Sequence, residues 1–299
     1  MKEIVIPENY NYIAVFLTFA CNLKCSYCIN YFEKGSFSNT HLSGKQWVKA
    51  LNRITSRDDL PITIQGGEPT LHKDFIYMVN HIREDLNIDL LTNLQFDVDS
   101  FIEQVNPDRL KRNAPYASIR VSYHPAQMNL SELIEKTLKM QEAGFSIGLF
   151  GVLHPEQEDE ILAAKEKCLK LGIDFRTKDF LGYHNGDLYG AYLYQDACTM
   201  EKAKEVLCKT SELIVGPGGE VYRCHHDLYE GFPPIGNLLD EDFQVHDVFR
   251  PCSVYGFCNP CDIKVKTNRF QLFGHTSVEI IKESEKKQME AQDNLYNIL

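Results

Sequence analysis

The feature that most limits what this chain can fold into is an alternation. Six β-rich apolar runs, residues 13–18, 61–65, 89–92, 117–123, 146–153 and 172–179, are separated by stretches with helical character. The intervening segments 42–56, 73–87, 98–112, 131–143 and 156–171 are predicted helices, several with apolar residues spaced about 3.6 apart. The clearest helix starts at Ser131 and is closed by Gly144; the next is closed by Gly172. Strand–helix repeats of this kind require parallel pairing through right-handed crossovers. The expected class is therefore α/β, either three-quarters of an eight-fold barrel or a doubly wound sheet. Both architectures place chemistry at the carboxyl ends of the strands.

The polar clusters fall at those ends. Cys21-Asn-Leu-Lys-Cys-Ser-Tyr-Cys28 follows the first run, Gly66-Gly67-Glu68-Pro69 the second and Thr92-Asn93 the third, while Ser122 ends the fourth. Composition decides how the ten cysteines are treated. No stretch approaches the roughly 20 apolar residues of a membrane span. The N-terminus has no signal-peptide pattern, so a cytoplasmic protein with reduced thiols is expected. In that setting, closely spaced cysteines point to metal rather than disulfides. The formal net charge is −11, from 31 basic and 42 acidic residues. Neither a nucleic-acid nor a membrane partner is expected, and a neutral or cationic substrate is favoured.

Cys21-x3-Cys25-x2-Cys28 supplies three thiolates, one fewer than a closed tetrahedral site. A structural zinc site needs a fourth ligand nearby, and the next histidine, His41, lies 13 residues beyond Cys28. An iron–sulfur cluster held by three thiolates instead leaves one iron open. With Gly66-Gly67-Glu68-Pro69 as companion, the spacing resembles the signature of the radical S-adenosylmethionine (SAM) superfamily. The resemblance implies a partial (β/α)6 TIM-like barrel with a 4Fe–4S cluster on Cys21, Cys25 and Cys28. It also implies SAM chelated at the open iron, and a 5′-deoxyadenosyl radical that abstracts hydrogen from an unactivated C–H bond. By the same resemblance Tyr27 lies near the adenine, and the backbone and glutamate of Gly66-Gly67-Glu68-Pro69 meet the methionine amine. Asn93 and Ser122 contact SAM and its ribose. Arg120 shares a strand face with Ser122, where an unpaired guanidinium is costly. It is expected either to bind the SAM carboxylate or a substrate anion, or to form a salt bridge within the barrel.

Beyond about residue 182 the pattern changes. Residues 182–194 are a predicted linker, and Leu213-Ile-Val-Gly-Pro-Gly-Gly-Glu-Val-Tyr is a predicted β-hairpin. Cys208-x10-Gly219-x4-Cys224 followed by Cys258-x2-Cys261 resembles the SPASM/twitch extensions of radical SAM enzymes. The resemblance implies a small β-hairpin/helix domain with one auxiliary 4Fe–4S cluster on Cys208, Cys224, Cys258 and Cys261. A four-cysteine zinc site is the alternative that the spacing allows. Cys252 is then left over, six residues before Cys258. By resemblance to radical SAM epimerases it is the expected hydrogen donor at the barrel mouth; the alternatives are a buried apolar cysteine or a swapped cluster ligand. Cys168 is assigned to the core, and Cys198 is not placed. Asp179, Tyr183 and His184 are modest substrate-contact candidates. Arg223, His225 and His226 flank the second site, and His124 and His154 receive no role. The expected division is a barrel over 1–195, a twitch-type domain over 196–275 and a C-terminal helix over 276–299.

The expected function is redox-neutral epimerisation of a small polar substrate, aminosugar- or carbohydrate-like, with Cys252 as donor. The alternatives are two-electron dehydrogenation assisted by the auxiliary cluster, modification of a ribosomally made peptide, and a non-enzymatic iron–sulfur or zinc scaffold. Only about a dozen residues precede the first strand, which lowers the peptide reading. A flavodoxin- or ferredoxin-type protein is the expected electron donor.

Overall fold

The strand Tyr12–Phe16 (β1) starts a parallel run, and the computed structural model describes residues 2–30, 41–266 and 276–282. Ile62–Gln65 (β2), Ile88–Thr92 (β3), Ile119–Tyr123 (β4), Ile147–Leu153 (β5) and Phe175–Asp179 (β6) follow in chain order, each parallel to its predecessor. Between them run Gly44–Leu51 (α1), Phe75–His81 (α2), Val98–Gln104 (α3), Leu130–Glu142 (α4) and Glu158–Lys170 (α5). Side chains alternate across a strand, and here the alternation separates two environments. Ile62, Ile64, Ile88, Leu90, Ile119, Val121, Leu149 and Phe175 share one core with Trp47, Met78, Phe101, Leu133 and Ile161 of the helices. Each such residue contributes about 1.5–3 kcal/mol when fully buried. Thr63, Gln65, Asp89, Arg120, Ser122 and Lys178 occupy the alternate positions and give the opposite face its polarity.

The helices are shorter than their periodicity suggests, for local reasons. Ser43 and Gln46 form a capping box at the start of α1, but Ile54–Thr55 leaves the helix to pair with Ile4–Val5. Helix α3 ends before Pro107, which begins a separate 3-10 turn, Pro107–Leu110. Gly144 and Gly172 close α4 and α5 with φ of 92° and 77°, as expected.

The C-terminal part departs further from expectation. A short hairpin, Gly182–His184 with Asp187–Tyr189, lies within the predicted linker. It is followed by Lys204–Thr210 (β7), Glu212–Val215 (β8), Glu220–Tyr222 (β9), His225–Tyr229 (α6), Gly236–Asn237 (β10), Arg250–Tyr255 (β11), Pro260–Ile263 (α7) and Val278–Lys282 (β12). The expected hairpin forms as β8–β9, but β8 also pairs parallel to β1, with Glu212 opposite Tyr12 and Val215 opposite Val15. The large sheet is therefore nine-stranded, in the order β10-β9-β8-β1-β2-β3-β4-β5-β6. The reason lies in β1: an apolar strand at a sheet edge leaves its backbone groups unpaired. Strand β8 pairs with them, while Ile214, Leu228 and Tyr229 bury Ala14 and Phe16. Strand β7 is the centre of a second sheet, between β11 and β12. The expected C-terminal helix instead begins as the strand β12; the rest of that segment, apart from 276–282, lies outside the described residues. Among the described residues no helix is long and apolar enough to cross a membrane.

Candidate active site

The loop after β1 carries the first three cysteines, with Cys25 partly buried and Cys21 and Cys28 exposed. Its backbone is fastened to the ends of the neighbouring strands. Gly67 N donates to Thr18 O at 2.8 Å, Glu68 N to Ala20 O at 2.8 Å and Lys24 N to Gln127 Oε1 at 2.6 Å. Asn30 Nδ2 donates to Gly66 O at 3.3 Å, and Asn93 Nδ2 to Asn22 Oδ1 at 2.7 Å. Burial, together with the negative charge of Cys28 and Cys21, pushes the Cys25 thiol up to about 12. Burial also pushes the Cys21 thiol up, and neighbouring thiols that resist ionising suit a cationic iron–sulfur core, which compensates their charge. Among the described residues no group of three or more Cys, His, Asp or Glu side chains forms a single-ion site. The fit therefore rests on donor chemistry: three close thiols on a loop held by its backbone.

Gly66 and Gly67 are needed for a close approach, but to the protein itself. A Cβ on Gly66 would clash with the Thr18 carbonyl oxygen, and one on Gly67 with that of Ala20. Glu68, the residue expected to meet the methionine amine, is 1% exposed. Oε1 accepts from Thr70 N (3.2 Å), Thr70 Oγ1 (2.7 Å) and Thr92 Oγ1 (2.8 Å), and Oε2 from Asn93 N (2.7 Å). Burial pushes this carboxyl up while those donors oppose the shift. Glu68 thus locks the ends of β2 and β3 together. Pro69 opens the 3-10 turn that Glu68 caps. The Asn93 side chain is also engaged, by Asn22 and by Gln95 N. Ser122, on the polar face of β4, keeps its hydroxyl without a partner among the described residues.

Tyr27 is held by two histidines that the sequence reading left without a role. Its hydroxyl pairs with His124 Nδ1 at 2.9 Å, and its ring stacks on His154 with centroids 5.0 Å apart. Burial pushes His124 down to about 4, so at neutral pH the imidazole paired with the phenol is neutral. The available signal was position: both histidines directly follow parallel strands, at the end where a ligand is expected. His184 packs edge-on against His154 at 4.8 Å.

Lower on the polar face, Asp89 is fully buried between two guanidiniums. Arg112 grips it bidentately at 2.8 and 2.7 Å, and Arg120 Nη2 reaches it at 3.2 Å. Arg120 thus forms the salt bridge within the barrel that was one of its expected readings, while its Nε has no partner among the described residues. Breaking a buried pair of this kind costs about 3–5 kcal/mol.

The second cysteine set gathers around β7, β11, α6 and α7. Cys208 and Cys252 lie on the same face of their sheet, because Cys252 is opposite Val206, two residues from Cys208. Such diagonal neighbours have Cα atoms about 7–8 Å apart. Cys198, Cys208, Cys224 and Cys252 share one apolar cluster, with Cys258 packed against it. Burial pushes Cys208 and Cys258 upward, and each also feels the charge of Cys252. Cys252 therefore sits inside the second cysteine set and not at the barrel mouth where it was expected. The charge of Cys261 reaches Lys178 on β6 and Tyr229, and Tyr229 also feels Cys28. Asp262 ties the two short helices together: its carboxylate accepts from the backbone N of His225 (2.9 Å) and His226 (3.0 Å). Arg223 grips Asp227 and reaches Pro251 O at 2.6 Å, bracing the Cys224 turn against β11. Cys168 is in the main core, as expected.

Comparisons with known proteins agree with this arrangement. A family profile described as the radical SAM superfamily matches residues 15–187. Mycofactocin maturase MftC of Mycobacterium tuberculosis is 22% identical over 82% of this chain and 74% of its own. GTP 3′,8-cyclase of Sulfurovum sp. is 24% identical over 85% and 80%. PqqA peptide cyclase of Rhodopseudomonas palustris is 36% identical over a shorter segment, 26% of this chain and 20% of its own. Among solved structures, Streptococcus suis SuiB bound to its precursor peptide SuiA superposes with a TM-score of 0.56 and 15% identity, covering 78% of this chain and 63% of that one. The enzyme anSMEcpe with bound AdoMet and a peptide gives 0.51 and 15%, covering 77% of each.

Proposed function

Because the chain belongs to the radical SAM superfamily, an enzyme family that uses a 4Fe–4S cluster and SAM, we propose that Cys21, Cys25 and Cys28 hold that cluster. When bound, the cluster supplies the electron that cleaves SAM, and the 5′-deoxyadenosyl radical takes hydrogen from a substrate C–H bond. The chain's own part is positioning. Gly66 and Gly67 let the second strand-end loop close on the cysteine loop, Glu68 fixes the ends of β2 and β3, and the free Ser122 hydroxyl faces the ligand. Tyr27, held by His124 and His154, forms an aromatic wall for the adenine. The observation that carries this reading is the fastening of a three-thiol loop, by backbone bonds at Ala20 and Lys24 and by the Asn22 and Asn30 side chains, to the residues that follow β2, β3 and β4.

The second cysteine set supports an auxiliary 4Fe–4S cluster. Its best four ligands are Cys208, Cys224, Cys252 and Cys258, with Cys261 as the thiol nearest the barrel. This exchanges the roles that the resemblance to SPASM/twitch extensions implies for Cys252 and Cys261. For the substrate, a peptide is favoured over an aminosugar by the relatives, PqqA peptide cyclase among them. A cationic aminosugar also suits poorly a face bearing Arg120 and Lys178. Epimerisation is kept as a second reading because a thiol, Cys261, is placed toward the barrel.

The test is anaerobic reconstitution of the full chain with iron and sulfide, followed by a strong reductant and SAM. The expected result is 5′-deoxyadenosine and methionine in equal amounts. Absence of both from protein that has taken up iron contradicts the proposal.

A further inference from the structure

The polar face of the sheet carries positive charge that the protein does not neutralise. Arg112 and Arg120 share a single carboxylate, Asp89. The Nε of Arg120 is buried and has no hydrogen-bond partner among the described residues. Lys178 of β6 is on the same face: it is opposite Val152, two residues from Phe150, which is opposite Ser122 of β4. Its ammonium lies 4.9 Å from the Phe150 ring centroid, and among the described residues it forms no ion pair or hydrogen bond. Lys264, just after α7, adds a further positive charge in the same surroundings. In a chain with a net charge of −11, Lys178 and Lys264 beside the part-satisfied Arg120 make a local concentration of positive charge that an anionic ligand would complement.

We infer that Lys178 and Arg120 bind an anionic group of the substrate, a carboxylate or a phosphate, against the polar face of β4–β6. The inference rests on the radical SAM reading above and names what that site accepts. Lys178 remains reachable from solvent, as a binding residue must. The free Nε of Arg120 offers a charged hydrogen bond of the kind that anions accept best. SAM also carries a carboxylate. However, the groups placed for SAM lie at the ends of β1–β4, whereas Lys178 is on β6, at the far edge of the parallel run. The anion is therefore assigned to the substrate.

The experiment uses the reconstituted full chain saturated with SAM and titrates it calorimetrically with inorganic phosphate and, separately, with glutarate. At least one of the two is expected to bind the wild type, and which one binds separates a phosphate from a carboxylate substrate. Lys178→Met is expected to weaken that binding about ten-fold or more, and Lys178→Arg to restore most of it. Because Lys178 is exposed and forms no hydrogen bond or ion pair among the described residues, Lys178→Met should leave the melting temperature near that of the wild type, which separates lost binding from lost folding. Equal anion affinity in wild type and Lys178→Met, or no binding of either anion to the wild type, overturns the inference. A parallel loss of SAM affinity in Lys178→Met gives these cations to the SAM carboxylate and also overturns it. Calorimetry needs no turnover, so a failure to cleave SAM is registered separately, against the radical reading.

Discussion

Cys25→Ala is expected to yield a folded protein that carries about four fewer iron atoms per chain than wild type and releases no detectable 5′-deoxyadenosine. Cys25 is the most enclosed thiol of the loop, pushed up to about 12 by burial and by its two neighbours. Its ionised form is therefore maintained only by a metal, and two exposed thiols cannot retain a cubane alone. The fold should tolerate the change, because the loop is anchored by Gly67 N, Glu68 N and Asn30 and not by the thiols. Stability should shift by no more than about 1 kcal/mol. Iron analysis and product chromatography, beside a Cys224→Ala variant that disables only the second site, check both parts. Unchanged iron content in Cys25→Ala contradicts the assignment.

The second large effect separates Cys252 from Cys261. If Cys252 is a ligand, Cys252→Ala loses about four irons from the auxiliary site and the visible absorbance that goes with them. Cys261→Ala then keeps both. The assignment from spacing predicts the reverse. The same pair distinguishes the two reaction classes once a substrate is in hand. In D2O, epimerisation places one deuterium on the reacting carbon, and loss of that label in Cys261→Ala identifies the donor. A product two mass units lighter, formed equally by wild type and Cys261→Ala, leaves oxidation as the reaction. The physical basis is the register of β7 and β11, which puts Cys252 diagonal to Cys208, and the charge of Cys261, which reaches Lys178 and Tyr229.

Much of the barrel was legible because its information is local. Periodicity and terminating residues delivered β1–β6 in order, and the three-cysteine and Gly66-Gly67 clusters were rightly placed at strand ends. What escaped depends on contacts distant in sequence. The pairing of β8 with β1 joins segments such as Asn11 and Ser211, whose side chains bond at 3.1 Å across 200 residues, and no local pattern records such a partner. Glu68 was expected to face a ligand because its motif suggested it. Only the structure shows that Thr70, Thr92 and Asn93 take its oxygens first. Cys252 was the left-over thiol by spacing, yet strand register places it among the others. Nothing in the polar strand end Arg176-Thr-Lys-Asp179 distinguishes Lys178 in the sequence. Its significance comes from sharing a face with Arg120, two strands away.

The most direct test of the central claim, that the three-cysteine cluster keeps an iron open for SAM, is electron paramagnetic resonance of the reduced protein. A Cys208→Ala/Cys224→Ala variant leaves the first cluster as the only signal, and its spectrum is recorded before and after SAM is added. Coordination of the SAM amine and carboxylate predicts a clear shift in the g values on addition. A reduced 4Fe–4S signal that SAM leaves unchanged contradicts the claim.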